Sequence, residues 1–236
     1  MNAKVIIQDI KSYADPLRAV QLQRYFKTGK GEYGEGDKFI GLTVPQTRKL
    51  AKTYQKIDLE TISELLSSPL HEVRLFSLMI LVEKFRKAEK KDKGKILKFY
   101  LRHREGINNW DLVDLSAPYI LGAYAFETRN TKEMEKLIKA SSLWDRRIGM
   151  LATFPFIKNS ELDIVYKFAF KLMQDEEDLM QKAVGWMLRE AGKKDPKRLL
   201  NFINQYAHQM PRTMLRYAIE KFPLDKRKAI LKVRQS

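Results

Sequence analysis

The sequence predicts an all-α protein built from stacked helix pairs. From about residue 45 onward, apolar residues recur at spacings of three and four, which is the period of an amphipathic helix. Alternating β-branched runs are nearly absent, so strands are not expected. Prolines and glycines lie mainly where the apolar stripes end. With 44% hydrophobic residues, the 236-residue chain has enough apolar material for a continuous core, and we expect a single domain over residues 1–236.

The one long loop is expected near the N-terminus. Residues 29–41, with the sequence GKGEYGEGDKFIG, contain five of the chain's eleven glycines. No strand precedes this segment and no Gly-Lys-Ser/Thr follows it, so a nucleotide-binding loop is a weak interpretation. We expect instead a mobile surface connection between two helices. Thr43 and Pro45 then predict the start of the next helix, as an N-cap and a first-turn proline.

Five later segments share a polar start followed by a helix with a similarly placed polar or charged residue. They begin at His71, Trp110, Trp144, Leu179 and Arg212. The residues that align at the shared position are Arg74, Asp114, Arg147, Lys182 and Arg216. The steps of 40, 33, 35 and 34 residues are typical of stacked helix pairs, and the HEAT and armadillo classes fit because no tetratricopeptide or ankyrin signature is present. In such a curved α-solenoid, the aligned residues would form a row on the concave face.

The charge of the chain favours a polyanionic partner. There are 45 Lys and Arg against 29 Asp and Glu, a formal net charge of +16. Residues 193–236 alone carry twelve Lys and Arg against three Asp and Glu, a net +9. Clustered cations gain affinity for phosphates by releasing counterions, so nucleic acid is the favoured partner. The alternatives are a charge that serves only solubility and a charge that binds an anionic membrane surface.

The composition also excludes several kinds of chemistry. Without any cysteine, the chain has no disulfides, thiolate metal sites, iron–sulfur clusters or thiol nucleophiles. The three histidines, His71, His103 and His208, are dispersed and are interpreted as structural or surface residues. We expect neither a metal ion nor another cofactor. No apolar run reaches 18 residues and no signal-peptide core is present, so we expect a cytoplasmic protein. As separate expectations, the protein is a monomer and does not bind a membrane.

The aligned row combines four cations with one acid. The cations could follow the phosphate backbone of a duplex, and the alternative is that they form intramolecular salt bridges. Asp114 breaks the row, either as the partner of a basic neighbour such as Arg147 or as a carboxylate held in an electropositive cleft. Such a carboxylate can stabilise a cationic transition state, for example a deoxyribose oxocarbenium ion. Asp111 is interpreted as a charge favoured by the helix dipole.

All three tryptophans lie near the aligned positions. Trp110 and Trp144 precede their aligned residues by four and three positions, and Trp186 follows Lys182 by four. Helical spacing allows each of them to lie beside the row, although a core role is the commoner alternative for a tryptophan. Aromatic rings beside phosphate-binding cations can hold sugars and bases. The predicted groove therefore contains cations, aromatic rings and one acid.

Three motifs around these positions form a specific combination. They are Trp110-Asp111-Leu112-Val113-Asp114, Trp144-Asp145-Arg146-Arg147 and the run QKAVGWMLRE at 181–190. Together they resemble the AlkD family of bacterial alkylpurine DNA glycosylases, and the similarity extends from Arg24-Tyr25 to about Phe222. The resemblance implies a stack of HEAT-like helix pairs that holds duplex DNA. It also implies hydrolysis of the N-glycosidic bond of purines alkylated at ring nitrogen 3 or 7, without flipping of the damaged base.

The resemblance assigns roles to individual residues. Asp114 corresponds to the catalytic carboxylate, and Trp110 and Trp186 correspond to aromatic walls against the deoxyribose of the lesion. Arg147 corresponds to an arginine on the phosphate backbone and Tyr25 to a tyrosine near the DNA. The row and its neighbouring tryptophan supply the other expected DNA contacts, which are Lys182, Arg74, Arg216 and Trp144.

Two other functions remain compatible with the sequence. A non-catalytic protein that binds DNA structures or RNA could use the same scaffold, since a fold does not determine a function. A HEAT-like scaffold for protein partners would require an acidic partner and would have no affinity for DNA. The four residues Trp110, Asp114, Arg147 and Trp186 favour the enzyme, because the other two functions do not need this combination.

Overall fold

The computed structural model describes residues 2–232, and the prediction of an all-α fold is confirmed. The helices are α1 (Ala3–Lys11), α2 (Pro16–Tyr25), α3 (Val44–Thr53), α4 (Leu59–Leu66), α5 (His71–Lys87), α6 (Lys90–Arg102), α7 (Trp110–Ser116), α8 (Ala123–Thr128), α9 (Lys132–Leu137), α10 (Leu143–Leu151), α11 (Phe154–Lys158), α12 (Asp163–Lys171), α13 (Asp178–Lys194), α14 (Pro196–Tyr206), α15 (Arg212–Ala218) and α16 (Leu224–Leu231). A 3-10 turn covers Arg104–Gly106 and a π turn covers Pro118–Gly122. Within residues 2–232 there is no strand, and no helix has both the length and the apolar character needed to cross a membrane.

Helix boundaries follow local chemical signals. Thr43 forms a capping box with Gln46: its hydroxyl accepts the Gln46 N–H, and the Gln46 side chain accepts the Thr43 N–H at 2.8 Å. Pro45 lies in the first turn of α3, as predicted. Pro155 ends one helical pattern and begins another, because α10 stops at Leu151 and α11 carries this proline in its first turn.

The five aligned segments are the helices α5, α7, α10, α13 and α15. Each helix begins within one residue of the start predicted from the sequence. In four of these helices the aligned residue is the fifth residue of the helix: Asp114, Arg147, Lys182 and Arg216. Arg74 is the fourth residue of α5. The repeat alignment therefore placed equivalent positions of successive helices correctly.

The chain divides into two compact units, which in the described part comprise residues 2–120 and 121–232. We call them the N-terminal unit and the C-terminal unit. In the N-terminal unit, α5 lies at the centre and packs against α3, α4, α6 and α7, while α1 packs against α4. Eleven of the seventeen residues of α5 are buried, including the polar residues His71, Glu72, Arg74 and Ser77. The buried polar residues lie in the first two turns of α5, whereas the charged residues Arg86 and Lys87 at its end are exposed.

In the C-terminal unit, α13 occupies the central place and packs against α10, α11, α12, α14 and α15. The approach of α15 is close because residue 185 is glycine. A Cβ atom at Gly185 would lie 2.5 Å from the Tyr217 Cβ and 2.6 Å from the Met214 carbonyl oxygen. The C-terminal unit is therefore held by direct contact between helix surfaces.

The glycine-rich segment connects α2 to α3, as predicted, but its second half is not a mobile surface connection. Gly34, Asp37, Phe39 and Gly41 are buried. The backbone of Lys38 exchanges hydrogen bonds with the start of α5, accepting the His71 N–H at 2.8 Å and donating to the Pro69 carbonyl at 3.2 Å. The Glu72 carboxylate of α5 accepts the N–H groups of Ile40 and Gly41. These contacts correct the expectation, because the segment supplies core residues to the N-terminal unit.

Candidate functional site

Helix α7 carries the predicted catalytic residues. Asn109 caps this helix, and its side chain accepts the Trp110 N–H at 2.8 Å. Trp110 is the first residue of α7 and Asp114 the fifth, a spacing that places both on one face. Both side chains are half-buried. The helix therefore presents an aromatic ring and a carboxylate one turn apart, with partial access to solvent.

A proline ends α7 shortly after Asp114. Pro118 has no N–H to donate to the carbonyl four residues earlier, which is that of Asp114, so regular α-helical bonding stops here. The chain continues as the π turn Pro118–Gly122 before α8 begins. π turns within helices are frequent at functional sites. Pro118, one turn after the candidate carboxylate, therefore accounts for the irregular turn.

Aromatic side chains support the Trp110 ring. The Phe26 ring is stacked on it, with centroids 5.1 Å apart and an interplanar angle of 10°. Tyr25, which is 65% exposed, contacts Trp110 edge-on at 6.1 Å. Phe39, from the glycine-rich segment, is stacked on Phe26 at 4.7 Å. The structure therefore brings together Tyr25 and Trp110, two of the residues predicted to contact DNA.

A buried network of charged residues lies behind this aromatic group. The His71 ring bridges two carboxylates: Nδ1 lies 2.8 Å from Asp37 Oδ2, and Nε2 lies 2.8 Å from Asp111 Oδ2. Asp37 also accepts hydrogen bonds from Arg74 at 2.5 Å and from the Asn109 amide at 3.2 Å. Asp37, His71 and Arg74 are each at most 5% exposed. Because the carboxylates lie at opposite nitrogens of the ring, they do not converge on a point, and no metal-holding cluster occurs among residues 2–232.

The network favours a protonated His71. Burial by itself lowers the pKa of a histidine, but the charges and hydrogen bonds of Asp111 and Asp37 outweigh it and raise the pKa of His71 to about 9. Burial would likewise raise the pKa of Asp37, yet His71 and Arg74 hold that pKa below its ordinary value. An imidazolium has two N–H donors, which matches the two carboxylate acceptors. His71 is therefore a charged residue of the core at neutral pH.

The prediction that Arg74 contacts DNA is corrected by this network. Arg74 is 4% exposed, and its guanidinium donates to Asp37 and to the Ser68 carbonyl at 2.9 Å. A third hydrogen bond, at 3.0 Å, reaches the Asn108 side chain. A cation with these partners has the intramolecular role that was the alternative for the aligned row. We therefore leave Arg74 out of the candidate DNA contacts.

Arg147 is also buried, in the C-terminal unit. It is 5% exposed, and Nη1 donates to the Leu179 carbonyl at 2.6 Å. This bond crosses from α10 to α13 and fixes the direction of the guanidinium. The neighbouring Arg146 forms a separate ion pair with Asp175 at 2.6 Å. The role of Arg147 on a phosphate backbone stays a prediction, and the structure adds that this side chain is held in place before any DNA arrives.

The remaining predicted contacts of the C-terminal unit are more accessible. Lys182 is half-buried and pairs with Asp178, four residues earlier on α13, at 2.7 Å. Arg216 is exposed in the last turn of α15. Trp144 and Trp186 are half-buried, and the Trp186 ring lies 6.5 Å from that of Phe154. Among the aligned cations, Arg216 is thus the one with the most open side chain.

The sequence did not identify the residues behind Trp110. Asp37, His71, Phe26 and Phe39 meet α7 across separations of tens of residues, so no local spacing marks them as a group. His71 was interpreted, like the other two histidines, as a structural or surface residue. The available signal was weak: Asp37 lies two residues before Phe39 and Asp111 lies beside Trp110, and an acid that is buried with such aromatic neighbours needs a cationic partner.

Two solved structures of other proteins have a similar fold. Among solved structures, a "predicted DNA alkylation repair enzyme" from Enterococcus faecalis matches with a TM-score of 0.69 and 16% identity, covering 89% of this chain and 97% of its own. The protein smu.31 from Streptococcus mutans UA159 matches with a TM-score of 0.52 and 16% identity, covering 96% and 99%. At this identity both similarities show the fold alone. No curated protein sequence matches the chain.

The family itself is shown by the sequence. The profile of the DNA alkylation repair enzymes matches residues 6–222, which covers most of both units and every candidate residue named above. The match agrees with the resemblance found in the three motifs around Trp110, Trp144 and Trp186. The chain therefore belongs to the DNA alkylation repair enzyme family.

Proposed function

We propose that this protein is a monofunctional DNA glycosylase that releases purines alkylated at ring nitrogen 3 or 7 from duplex DNA. The observation that carries the proposal is the placement of Trp110 and Asp114 on one face of α7, both half-buried, with the Trp110 ring supported from behind by Phe26. A carboxylate one helical turn from a supported aromatic ring is suited to a deoxyribose that becomes positively charged.

The chemistry requires few other groups. A purine alkylated at nitrogen 3 or 7 already carries positive charge and is an activated leaving group, so no strong general acid is needed. As the glycosidic bond breaks, positive charge develops on the sugar, and the Asp114 carboxylate stabilises it. The same carboxylate positions a water molecule whose oxygen adds to the sugar carbon. One proton of this water stays on the new hydroxyl group and the other passes to solvent. The products are the free base and an abasic site.

Residues of the C-terminal unit complete the proposal through the family resemblance. Trp186 would contact the deoxyribose, and Arg147 would contact the phosphate backbone beside the lesion. Lys182, Arg216 and Trp144 would hold the flanking duplex, and in the N-terminal unit Tyr25 would do the same, being exposed at the edge of the Trp110 ring. We propose a monomer that leaves the damaged base within the duplex and needs no metal ion.

The test is release of free base from methylated duplex DNA. The protein is incubated with DNA treated with a methylating agent, and 3-methyladenine and 7-methylguanine are separated by chromatography. We expect release by the unaltered protein, unaffected by a metal chelator. We expect Asp114→Asn to lower the single-turnover rate about 100- to 1,000-fold, as for other losses of a preorganised electrostatic group.

DNA binding separates this function from the non-catalytic alternative. Affinity for duplexes with and without the lesion is measured for the unaltered protein and for Asp114→Asn. We expect both proteins to bind, since the substitution removes a negative charge and leaves the cations in place. Binding without any base release by the unaltered protein would support a DNA-binding protein without enzymatic activity, and an absence of DNA affinity would contradict both functions.

A further inference from the structure

We propose that His71 is a positioning residue: by joining Asp37 to Asp111 it fixes the first turn of α7, and with it the Trp110 ring and the Asp114 carboxylate. The inference rests on the proposed function, because Trp110 and Asp114 are the residues assigned to the reaction. It adds a residue on another helix, α5, which touches neither the sugar nor the base. Its effect is transmitted through Asp111 and through a stack of aromatic rings.

The first line of support is the backbone on both sides of Trp110. Asp37 accepts hydrogen bonds from His71 at 2.8 Å and from the Asn109 side chain at 3.2 Å. Asn109 in turn accepts the Trp110 N–H at 2.8 Å. On the other side, Asp111 bonds to His71 at 2.8 Å. The residues immediately before and after Trp110 thus belong to one network, and His71 is the only member that contacts both of its carboxylates.

The second line of evidence is the stack of rings behind Trp110. The His71 ring is stacked on Phe39, with centroids 4.3 Å apart and an interplanar angle of 23°. It also contacts Phe26 at 5.1 Å. Phe26 is stacked on the face of Trp110. The imidazole therefore supports the tryptophan from behind through one intervening ring, in addition to fixing the neighbouring backbone.

The charges around His71 make this arrangement depend on protonation. Asp37 and Asp111 face its two nitrogens, and Arg74 reaches it only through Asp37. Glu72, its neighbour on α5, is turned away and bonds to backbone N–H groups of the glycine-rich segment. A neutral imidazole has one N–H, so loss of the proton leaves one carboxylate without its hydrogen bond. With a His71 pKa of about 9, we expect base release to fall as the pH rises through that value.

Two substitutions of His71 test the bond to Asp111 directly. The amide nitrogen of glutamine reaches approximately the position of Nε2, which faces Asp111, whereas that of asparagine reaches the position of Nδ1, which faces Asp37. Single-turnover base release is measured for His71→Gln and His71→Asn with protein in excess over DNA. We expect His71→Asn to be at least about 10-fold slower and His71→Gln to lie within about 3-fold of the unaltered protein, since displaced catalytic groups lose rate steeply.

The matched control is His103→Gln. His103 belongs to the same unit and bonds to Ser63 and to the Phe99 carbonyl, both at 2.8 Å, and no carboxylate of residues 2–232 bonds to it. We expect its rate to be unchanged. Equal losses in both His71 variants at equal folded fraction, or no loss in either, would overturn the inference, because a role in stability alone does not distinguish the two ring nitrogens.

The pH profile provides a second test that does not depend on the stability of one variant. Base release is measured from pH 6 to pH 10 for the unaltered protein, His71→Gln and Asp111→Asn. We expect base release by the unaltered protein to fall near pH 9 and base release by His71→Gln to show no such fall. In Asp111→Asn the fall should move to lower pH, because one of the carboxylates that favour the charged imidazole is gone. A fall at the same pH in all three proteins would contradict the inference.

A spectroscopic measurement distinguishes failure of this inference from failure of the proposed function. In the double variant Trp144→Phe/Trp186→Phe, Trp110 is the only tryptophan, and its fluorescence is followed from pH 6 to pH 10. We expect a change with a midpoint near pH 9 that disappears when His71→Gln is added, which attributes the change to His71. An emission that does not respond to His71 would overturn the inference. Loss of base release alone would contradict only the proposed function.

Discussion

The two units hold their aligned helices by different physical means. Of the twelve buried polar or charged residues in the described part of the chain, ten lie in the N-terminal unit. There, α5 and α7 are joined through Asp37, His71 and Asp111. In the C-terminal unit, α13 and α15 meet at Gly185 with almost no space between their backbones. Buried ion pairs therefore join two aligned helices of the N-terminal unit, and close packing joins two aligned helices of the C-terminal unit.

This difference shows what a repeat position does and does not determine. The same alignment placed Arg74 in the buried network of one unit and left Arg216 exposed in the other. A buried ion pair is directional and sensitive to pH, and it is costly when one partner is removed. Close apolar packing is insensitive to pH and responds to changes in volume. The candidate carboxylate and its tryptophan lie in the unit that uses the directional contacts.

Removal of Asp37 should have the largest effect. Asp37→Ala leaves His71 and Arg74 as buried cations without their shared acceptor, and we expect a loss of about 3–5 kcal/mol in the free energy of unfolding. Urea denaturation measures it. The control is Asp163→Ala in the C-terminal unit, which removes an exposed pair with Arg198 and should cost less than about 1 kcal/mol. Similar losses in the two variants would contradict the comparison.

The pH dependence of stability should show the second largest effect. Because the folded pKa of His71, about 9, lies above its ordinary value of 6.5, its contribution is fully present below pH 6.5 and is lost as the pH rises through about 9. Between pH 7 and pH 9 this amounts to about 2 kcal/mol. Urea denaturation at both pH values should show the decline in the unaltered protein and a smaller one in His71→Gln. Identical declines would remove His71 as the titrating group.

Gly185→Ala should sharpen the comparison from the other side. Its Cβ would lie within 2.6 Å of the Met214 carbonyl oxygen, so α15 has to move, and we expect a loss of about 1–3 kcal/mol. The better helix propensity of alanine offsets only part of it. Denaturation at pH 7 and pH 9 should give the same loss, since no titrating group is involved. A loss that changes with pH, or a gain in stability, would disagree with this account of the C-terminal unit.

The smallest effect concerns an exposed cation. We expect Arg216→Ala to weaken DNA binding and to lower the salt slope by about one released counterion. Binding is measured between 50 and 200 mM salt, a range in which phosphate contacts are readily detected. Lys171→Ala is the control, because it removes an equally exposed charge from α12, which is not one of the aligned helices. An equal change in the two slopes would argue against a specific contact by Arg216.

The fold was predictable from the sequence where the signals are local. The capping box at Thr43, the helix break at Pro155 and the starts of the five aligned helices all follow from nearby residues. The glycine-rich segment was predicted less well. Its glycines indicate a loop, but the burial of Asp37 and Phe39 depends on α5 and α7, which are distant in the sequence.

Within the candidate site, only the placement of Trp110 and Asp114 on α7 was predictable. Trp110 and Asp114 are four residues apart, so helical spacing places them together. The layer behind them consists of pairs such as Asp37–His71 and Asn109–Asp37, separated by 34 and 72 residues. A single sequence also gives no sign that Arg74 and Arg147 are buried while Arg216 is exposed, because burial follows from packing between helices.

The measurement that tests the central claim most directly compares two substitutions within α7. Asp111→Asn and Asp114→Asn each convert an acid to its amide, three residues apart in the same helix. Single-turnover release of 7-methylguanine is measured for both, with DNA saturated by protein. We expect Asp114→Asn to lose about 100- to 1,000-fold, as for removal of a catalytic electrostatic group, and Asp111→Asn to lose less than about 10-fold. Equal rates in the two variants, or a faster reaction in Asp114→Asn, would contradict the assignment of the reaction to Asp114.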